Sequence, residues 1–292
     1  MDQHLVVFKE VAVRKSFSRT AEALHMSQPA VSQYIASLEK ELGVRLLERS
    51  NKFVELNKAG KIVYQYSQQI LRSYDQMQIL VSDLQNDPSG ELKIGASYTI
   101  GEYLLPKLLA ELQERYPQIV PEVTIGNTDE IGSQLLHHEI DIGLIEGNYS
   151  HQQFSVEQFS TDKMYIIAAK RQPYKVEEEV SIEDLEKETW IIRESGSGTR
   201  KVLENFFEKH CLHPKRVLTF GSTQTIKEGV EAGLGISLLS DLTFAKEIQL
   251  NKVQKLIIDG TPIKRKFSII KNHHEFHPKA LQVFEELVKQ KI

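Results

Sequence analysis

The stretch His25–Gly43, "HMSQPAVSQYIASLEKELG", begins and ends as a helix does. Ser27 suits the N-cap, Pro29 the first turn and Gly43 the stop. Val31, Ile35, Leu38 and Leu42 step by four, three and four, which gives one buried stripe. The opening turn is not what a packing helix needs. Ser27, Gln28, Pro29, Ala30, Ser32 and Gln33 are small or amide-bearing, and none is charged.

Working outward, Leu5, Phe8, Val11 and Ala12 have helical spacing, and Ser18 suits the N-cap of a helix carrying Ala21, Ala23 and Leu24. A short turn at 25–27 joins that helix to the quoted one, so the pair reads as a helix-turn-helix. Phe53, Val54 and Leu56 are strand-like, with a turn at Ser50 and Asn51, and predict a two-stranded wing. Asn57 caps a long helix, roughly 58–86. Its Val63, Ile70, Met77 and Leu84 repeat every seven residues, with Tyr66, Tyr74 and Val81 beside them. That period predicts a dimerisation stem.

"QNDPSG", 85–90, breaks the helix. Strand patterns then alternate with helical ones: "ELKIGAS", "VPEVTIGN", "IDIGLIEG", "KMYIIAAK", "TWIIRES", "RVLTFGS" and "GISLLSD" read as strands. The expectation is a parallel, doubly wound α/β region, long enough for two sub-domains with a cleft between them.

The chain has 292 residues, with one cysteine, Cys211, so no internal disulfide is available. No secretory leader and no run of apolar residues long enough to span a membrane is read, which predicts a cytoplasmic protein. Net charge is −4, divided as +2 over residues 1–58 and −6 over the rest. Neither value marks a charge-driven nucleic-acid binder. Enzyme motifs are missing. "GSGTRK" has Lys201 where a dinucleotide fingerprint needs its third glycine, and there is no phosphate-binding loop or nucleophile elbow. "HHEFH", 273–277, fails the zinc-helix spacing by one residue. No metal and no cofactor is expected.

Residues 16–60, "SFSRTAEALHMSQPAVSQYIASLEKELGVRLLERSNKFVELNKAG", resemble the DNA-binding domain of LysR-type transcriptional regulators, and the resemblance extends over the whole chain. Glu22, Leu47, Lys52 and Asn57 depart from the usual Ala, Phe, Arg and Thr. The resemblance implies a winged helix-turn-helix over 1–58, a linker and dimerisation helix over 59–90, and an effector domain over 91–292 like a two-lobed periplasmic binding protein. Lobe I would span about 91–161 and 266–292, and lobe II about 162–265. It implies a homodimer that assembles to a homotetramer on double-stranded promoter DNA, leaving RNA polymerase open as a further partner. Gln28, Ser32 and Gln33 can then reach base edges, and Pro29 and Ala30 thymine methyls. Ser27 and Arg19 can contact phosphate, and Arg49 and Lys52 of the wing the backbone or minor groove.

The resemblance also implies a small-molecule co-inducer in the interlobe cleft. Hydroxyls and glycines at helix starts suggest where: Ser97 and Thr99, Thr128, the run Ser195, Gly196, Ser197, Gly198 and Thr199, and Ser222. Free helix-start amides favour an anion, so the expected ligand is a small anionic metabolite. The "GASYTIGEYLLP" and "GSGTR" stretches look most like regulators of sulfur assimilation and carbon fixation. Two other readings are a cytoplasmic solute-binding protein and an α/β enzyme fused to a DNA-binding domain. The first 90 residues count against the former, and the missing catalytic motifs against the latter.

Overall fold

The computed structural model describes residues 3–49, 54–84, 87–171, 174, 179–273 and 276–291. It divides into two units, Met1–Asn86 and Asp87–Ile292.

The first unit comprises α1 (Gln3–Arg14), α2 (Phe17–Ala23), α3 (Gln28–Leu42), β1 (Leu47–Arg49), β2 (Val54–Leu56) and α4 (Lys58–Asp83). Val7, Phe8, Val11, Ala21, Val31, Ile35, Leu38, Leu46 and Leu47 form its core. Three of the four expected α3 positions are buried, while Leu42 is 46% exposed in the last turn. The quoted helix starts and stops as expected. Ser27 Oγ accepts from the Ala30 amide, and Gly43 takes the left-handed conformation at φ 67°. α2 differs: its N-cap is Ser16, whose Oγ accepts from the Arg19 amide, so the helix starts one half-turn before Ser18. The departures Asn57 and Leu47 keep their physical roles. Asn57 Oδ1 accepts from the Gly60 amide at 2.8 Å and its Nδ2 donates to the Arg45 carbonyl. Leu47 is buried.

β1 and β2 pair antiparallel as a wing, and Gly60 of α4 lies against it. A Cβ on Gly60 would stand 2.1 Å from the Leu46 carbonyl oxygen. Gly60→Ala is therefore expected to destabilise this unit by about 1–3 kcal/mol through a backbone clash. A thermal melt checks this: an unchanged melting temperature would contradict the close approach.

The second unit runs β3 (Gly90–Ser97), α5 (Tyr98–Tyr103), α6 (Leu105–Arg115), β4 (Ile119–Gly126), α7 (Thr128–Leu136), β5 (Ile142–Glu146), β6 (Phe154–Ala169), α8 (Ile182–Lys187), β7 (Thr189–Arg193), α9 (Gly198–Lys209), β8 (Arg216–Phe220), α10 (Thr223–Glu231), β9 (Ser237–Ser240), α11 (Asp241–Gln249), β10 (Val253–Lys255), β11 (Ile263–Asn272) and α12 (Lys279–Lys291). One sheet has the order β10-β6-β11-β5-β3-β4, with β9 also on β6; β7 and β8 form another. Among the described strand pairs, β3 with β4 and β5, and β7 with β8, are parallel. The fold is α/β as expected, but the sheet is mixed. The reason is β11, which returns antiparallel to both β5 and β6.

Two cores result. One gathers Ile94, Ile100, Leu108, Leu144, Ile269 and Phe284; the other Ile166, Trp190, Leu203, Phe206 and Leu238. Strands β6 and β11 run through both, so they act as the straps between a first and a second lobe. At Leu104 the helical stretch after β3 breaks into α5 and α6. Pro106 sits in the first turn of α6, where a missing amide costs nothing.

Candidate functional site

In the first unit, the start of α3 presents a polar, uncharged surface. Gln28, Pro29 and Gln33 are exposed, Ala30 and Ser32 half-buried, and Arg19 of α2 is exposed. Gln28 Nε2 donates to Ser32 Oγ at 3.0 Å, which holds the two side chains together one turn apart. Ser27 Oγ takes the Ala30 amide and Pro29 has no N–H, which leaves the Gln28 amide of the first turn for an incoming anion. Arg49 closes β1, but its side chain, like Lys52, lies outside the described residues.

Along α4 the apolar stripe is largely uncovered. Tyr66, Ile70, Met77, Val81 and Leu84 are 60, 52, 50, 62 and 80% exposed. Tyr74 is half-buried. Val63 differs from the rest of the stem set, since it packs on the core of the first unit. A row of large apolar side chains in water is a surface that expects a partner.

The second unit holds a cavity of about 810 Å³ between its lobes. Thr128, Glu146 and Tyr149 of the first lobe line it, with Ser195–Gly198 and the flank of α9 from the second, and β11 at its back. Five of the nine expected effector residues, Thr128, Ser195, Gly196, Ser197 and Gly198, are thus brought to one wall. Ser97, Thr99 and Thr199 are buried beside it, while Ser222 stands apart as the N-cap of α10. Ser197 likewise caps α9, accepting from the Arg200 amide.

A charged network that the sequence reading missed joins the lobes at the back of this cavity. Arg265 of β11 is fully buried between Asp162 of β6 and Glu146 of β5. Its Nε donates to Asp162 Oδ2 at 2.9 Å and its Nη1 to Glu146 Oε2 at 2.5 Å. Nη1 also donates to Thr199 Oγ1, and Nη2 to Thr99 Oγ1 and Asp162. All five N–H groups of the guanidinium are used. The Thr99 amide, at the start of α5, donates to Glu146 Oε1 at 2.7 Å. The helix start expected to hold a ligand's anion therefore already holds this chain's own carboxylate.

The cluster carries two carboxylates on one guanidinium. Burial pushes the Asp162 carboxyl above its ordinary value of 3.8, against the pull of Arg265 and a hydrogen bond from Ser240. Between the ordinary and the raised value the folded chain binds more protons than the unfolded one, so stability falls as pH rises through that window. Asp162→Asn is expected to remove this part of the fall. Urea midpoints measured from pH 4 to 7 check it; an unaltered pH dependence would contradict it.

On the other flank the lobes clasp. Arg193 of β7 makes two 2.7 Å bonds to Glu194 and one of 3.1 Å to Thr223. Its guanidinium lies 4.4 Å over the ring of Tyr98 in the first lobe, and Asn127 Nδ2 reaches Glu194 across the gap. Among the described residues no group of three His, Cys, Asp or Glu is placed to hold a metal, and no helix is long and apolar enough to cross a membrane.

Comparisons with known proteins bear on both surfaces. Residues 3–61 match the family model described as bacterial regulatory helix-turn-helix protein, lysR family. Residues 85–292 match the LysR substrate binding domain. The HTH-type transcriptional regulator CysL of Bacillus subtilis is 39% identical over 98% of this chain and 95% of its own. A probable RuBisCO transcriptional regulator of Trieres chinensis is 34% identical over 97% and 94%. Both fit the subgroup resemblance read from the sequence. The regulatory domain of Synechocystis CcmR, solved in complex with 2-PG, superposes with a TM-score of 0.63 at 27% identity, covering 69% of this chain and 97% of that one.

Proposed function

Because the chain belongs to the LysR family of transcriptional regulators, we propose that it works as a homodimer, paired into a homotetramer, whose grip on promoter DNA changes when an anion-bearing metabolite enters the interlobe cavity. The chain is a DNA-binding regulator with a small-molecule domain, not an enzyme. It works in the cytoplasm. The observation that carries the sensing step is the cavity itself. Both lobes line it, so a bound molecule touches both and biases how they sit. A ligand can shift that balance only by its difference in affinity for the two arrangements, and coupling of this kind is typically about 1–3 kcal/mol. The CcmR regulatory domain, a relative in fold and sequence, was solved with 2-PG, which supports a small ligand here.

At the DNA, Gln28, Ser32 and Gln33 read base edges in the major groove, with Pro29 and Ala30 against thymine methyls. Ser27, Arg19, Arg49 and Lys52 hold the phosphates. Gln33→Ala is expected to weaken binding to the cognate duplex by about 1–3 kcal/mol and to leave non-specific binding nearly unchanged. Arg49→Ala is expected to weaken both and to flatten the salt dependence. Anisotropy titrations at two salt concentrations separate the two. Wild-type behaviour in both variants would overturn the assignment of this face.

A further inference from the structure

The lobes meet on α5 as well as around the cavity. Ile100 fixes α5 in the core of the first lobe, while Tyr98 and Tyr103 of the same helix face the second. Each ring meets a buried cation. The Arg193 guanidinium of β7 lies 4.4 Å over the Tyr98 ring, and Lys227 Nζ of α10 lies 5.4 Å from the centroid of Tyr103. Cation–π attraction acts within about 6 Å of a ring centroid and strengthens where water is excluded. Each cation is also anchored in its own lobe. Glu194 and Thr223 hold Arg193, and Glu247 Oε1 of α11 accepts from Lys227 Nζ at 2.6 Å. Burial draws the Lys227 ammonium down, but hydrogen bonds with Glu247 and Tyr103 carry it above its ordinary 10.5, so it stays charged. One pattern thus occurs twice: a cation anchored in the second lobe, seated on a ring carried by the first.

Arg193 also connects to the cavity wall. Its partner Glu194 directly precedes Ser195–Gly198, which line the cavity. Asn127 Nδ2 donates to Glu194 Oε1 at 3.3 Å, and the Asp129 amide donates to the Gly196 carbonyl at 3.2 Å, so first-lobe groups hold this run from outside. Arg200 Nη1 donates to the Arg193 carbonyl at 3.3 Å, which ties the start of α9 to the same residue. A shift of α5 against β7 therefore reaches the wall that a ligand would touch through one arginine.

We propose that Arg193 and Lys227 are positioning residues: their seats on Tyr98 and Tyr103 set the angle between the lobes, and Arg193 passes that angle to the cavity wall. Neither residue touches the ligand in this scheme. It rests on reading the cavity as the effector site, and it names the contacts that join lobe movement to cavity shape.

The test reads the distance between the lobes in the full chain by pulsed electron spin resonance. One label sits on Cys211, the only cysteine, which is exposed in the second lobe, and the other on Lys107→Cys, an exposed position of α6 in the first. Labelled chain is diluted in unlabelled chain, so that only distances within one chain are read. Tyr98→Leu with Tyr103→Leu is expected to raise a displaced distance population about ten-fold over the parent. Tyr98→Phe with Tyr103→Phe keeps both ring faces and is expected to stay close to the parent. Lys227→Gln, with both rings intact, is expected to shift the distribution in the same direction as the leucine pair. A leucine pair with parental distances, even with a lowered melting temperature, would reduce the contacts to packing and overturn the proposal. A phenylalanine pair displaced as far as the leucine pair would overturn it too. The measurement needs no ligand, so either failure leaves the reading of the cavity as the effector site standing on its own test.

Discussion

Arg265→Met is expected to cost the second unit about 3–5 kcal/mol, because it leaves Glu146 and Asp162 buried without their cation. The guanidinium now satisfies both carboxylates and two threonine hydroxyls, all in a region closed to water. Trp190, the only tryptophan, is buried in the second core and bonded to the Leu185 carbonyl, so its fluorescence reports the loss directly. Adding Glu146→Gln and Asp162→Asn to the same chain is expected to recover much of the stability, since neutral amides cost far less to bury than unpaired charges. A single Arg265→Met variant within about 1 kcal/mol of wild type would show that water reaches the cluster and that the network does not hold the lobes.

The second large effect concerns the stem. Ile70→Asp with Met77→Asp places two charges in the exposed stripe of α4, where a partner helix would need apolar contact. The variant is expected to run as a monomer in sedimentation. It should also lose about 100-fold or more in affinity for a two-half-site duplex, since paired recognition helices gain roughly that much from being linked. Gln78→Asp, on an exposed polar position of the same helix, is the control. A double variant that stays dimeric would move the dimer contact elsewhere.

How much of this was legible in the sequence depends on how local each feature is. The helix-turn-helix is set by neighbours three or four residues apart. Ser27, Pro29 and Gly43 cap and stop α3, and Val31, Ile35 and Leu38 face inward, so a short stretch could be read alone. Asn57 as a cap was legible for the same reason. The stem stripe was also legible, except for Val63. Its burial depends on where α4 leaves the first core, and no heptad reveals that.

The larger unit was harder to read. Of the hydroxyls and glycines read at helix starts, Thr128 and Ser195–Gly198 do line one cavity. Several of these groups also have partners within the chain that the sequence does not reveal. Ser197 and Ser222 cap their own helices. The anion at the Thr99 amide is Glu146, 47 residues away, and it is held by Arg265, 119 residues further along the chain. Glu146 ends an apolar strand and Arg265 sits in an alternating one, so each looks ordinary in its own window. Only the antiparallel return of β11 brings them together. The mixed sheet escaped for that reason too: alternation of strands and helices predicts parallel pairing, and a strap that returns from the other lobe carries no local sign of its direction.

The central claim, that a molecule in the cavity changes how α3 is placed on DNA, is tested most directly by footprinting. A duplex selected from a random pool by the full chain is footprinted with and without a saturating small anion found by thermal-shift screening of the full chain, together with its bend angle by gel mobility. The account predicts a changed footprint length or bend with ligand, and no change in Gly198→Ala, whose Cβ would stand 2.3 Å from the Glu146 carbonyl oxygen and disturb the cavity wall. An identical footprint and bend in wild type, with ligand bound and saturating, would contradict it.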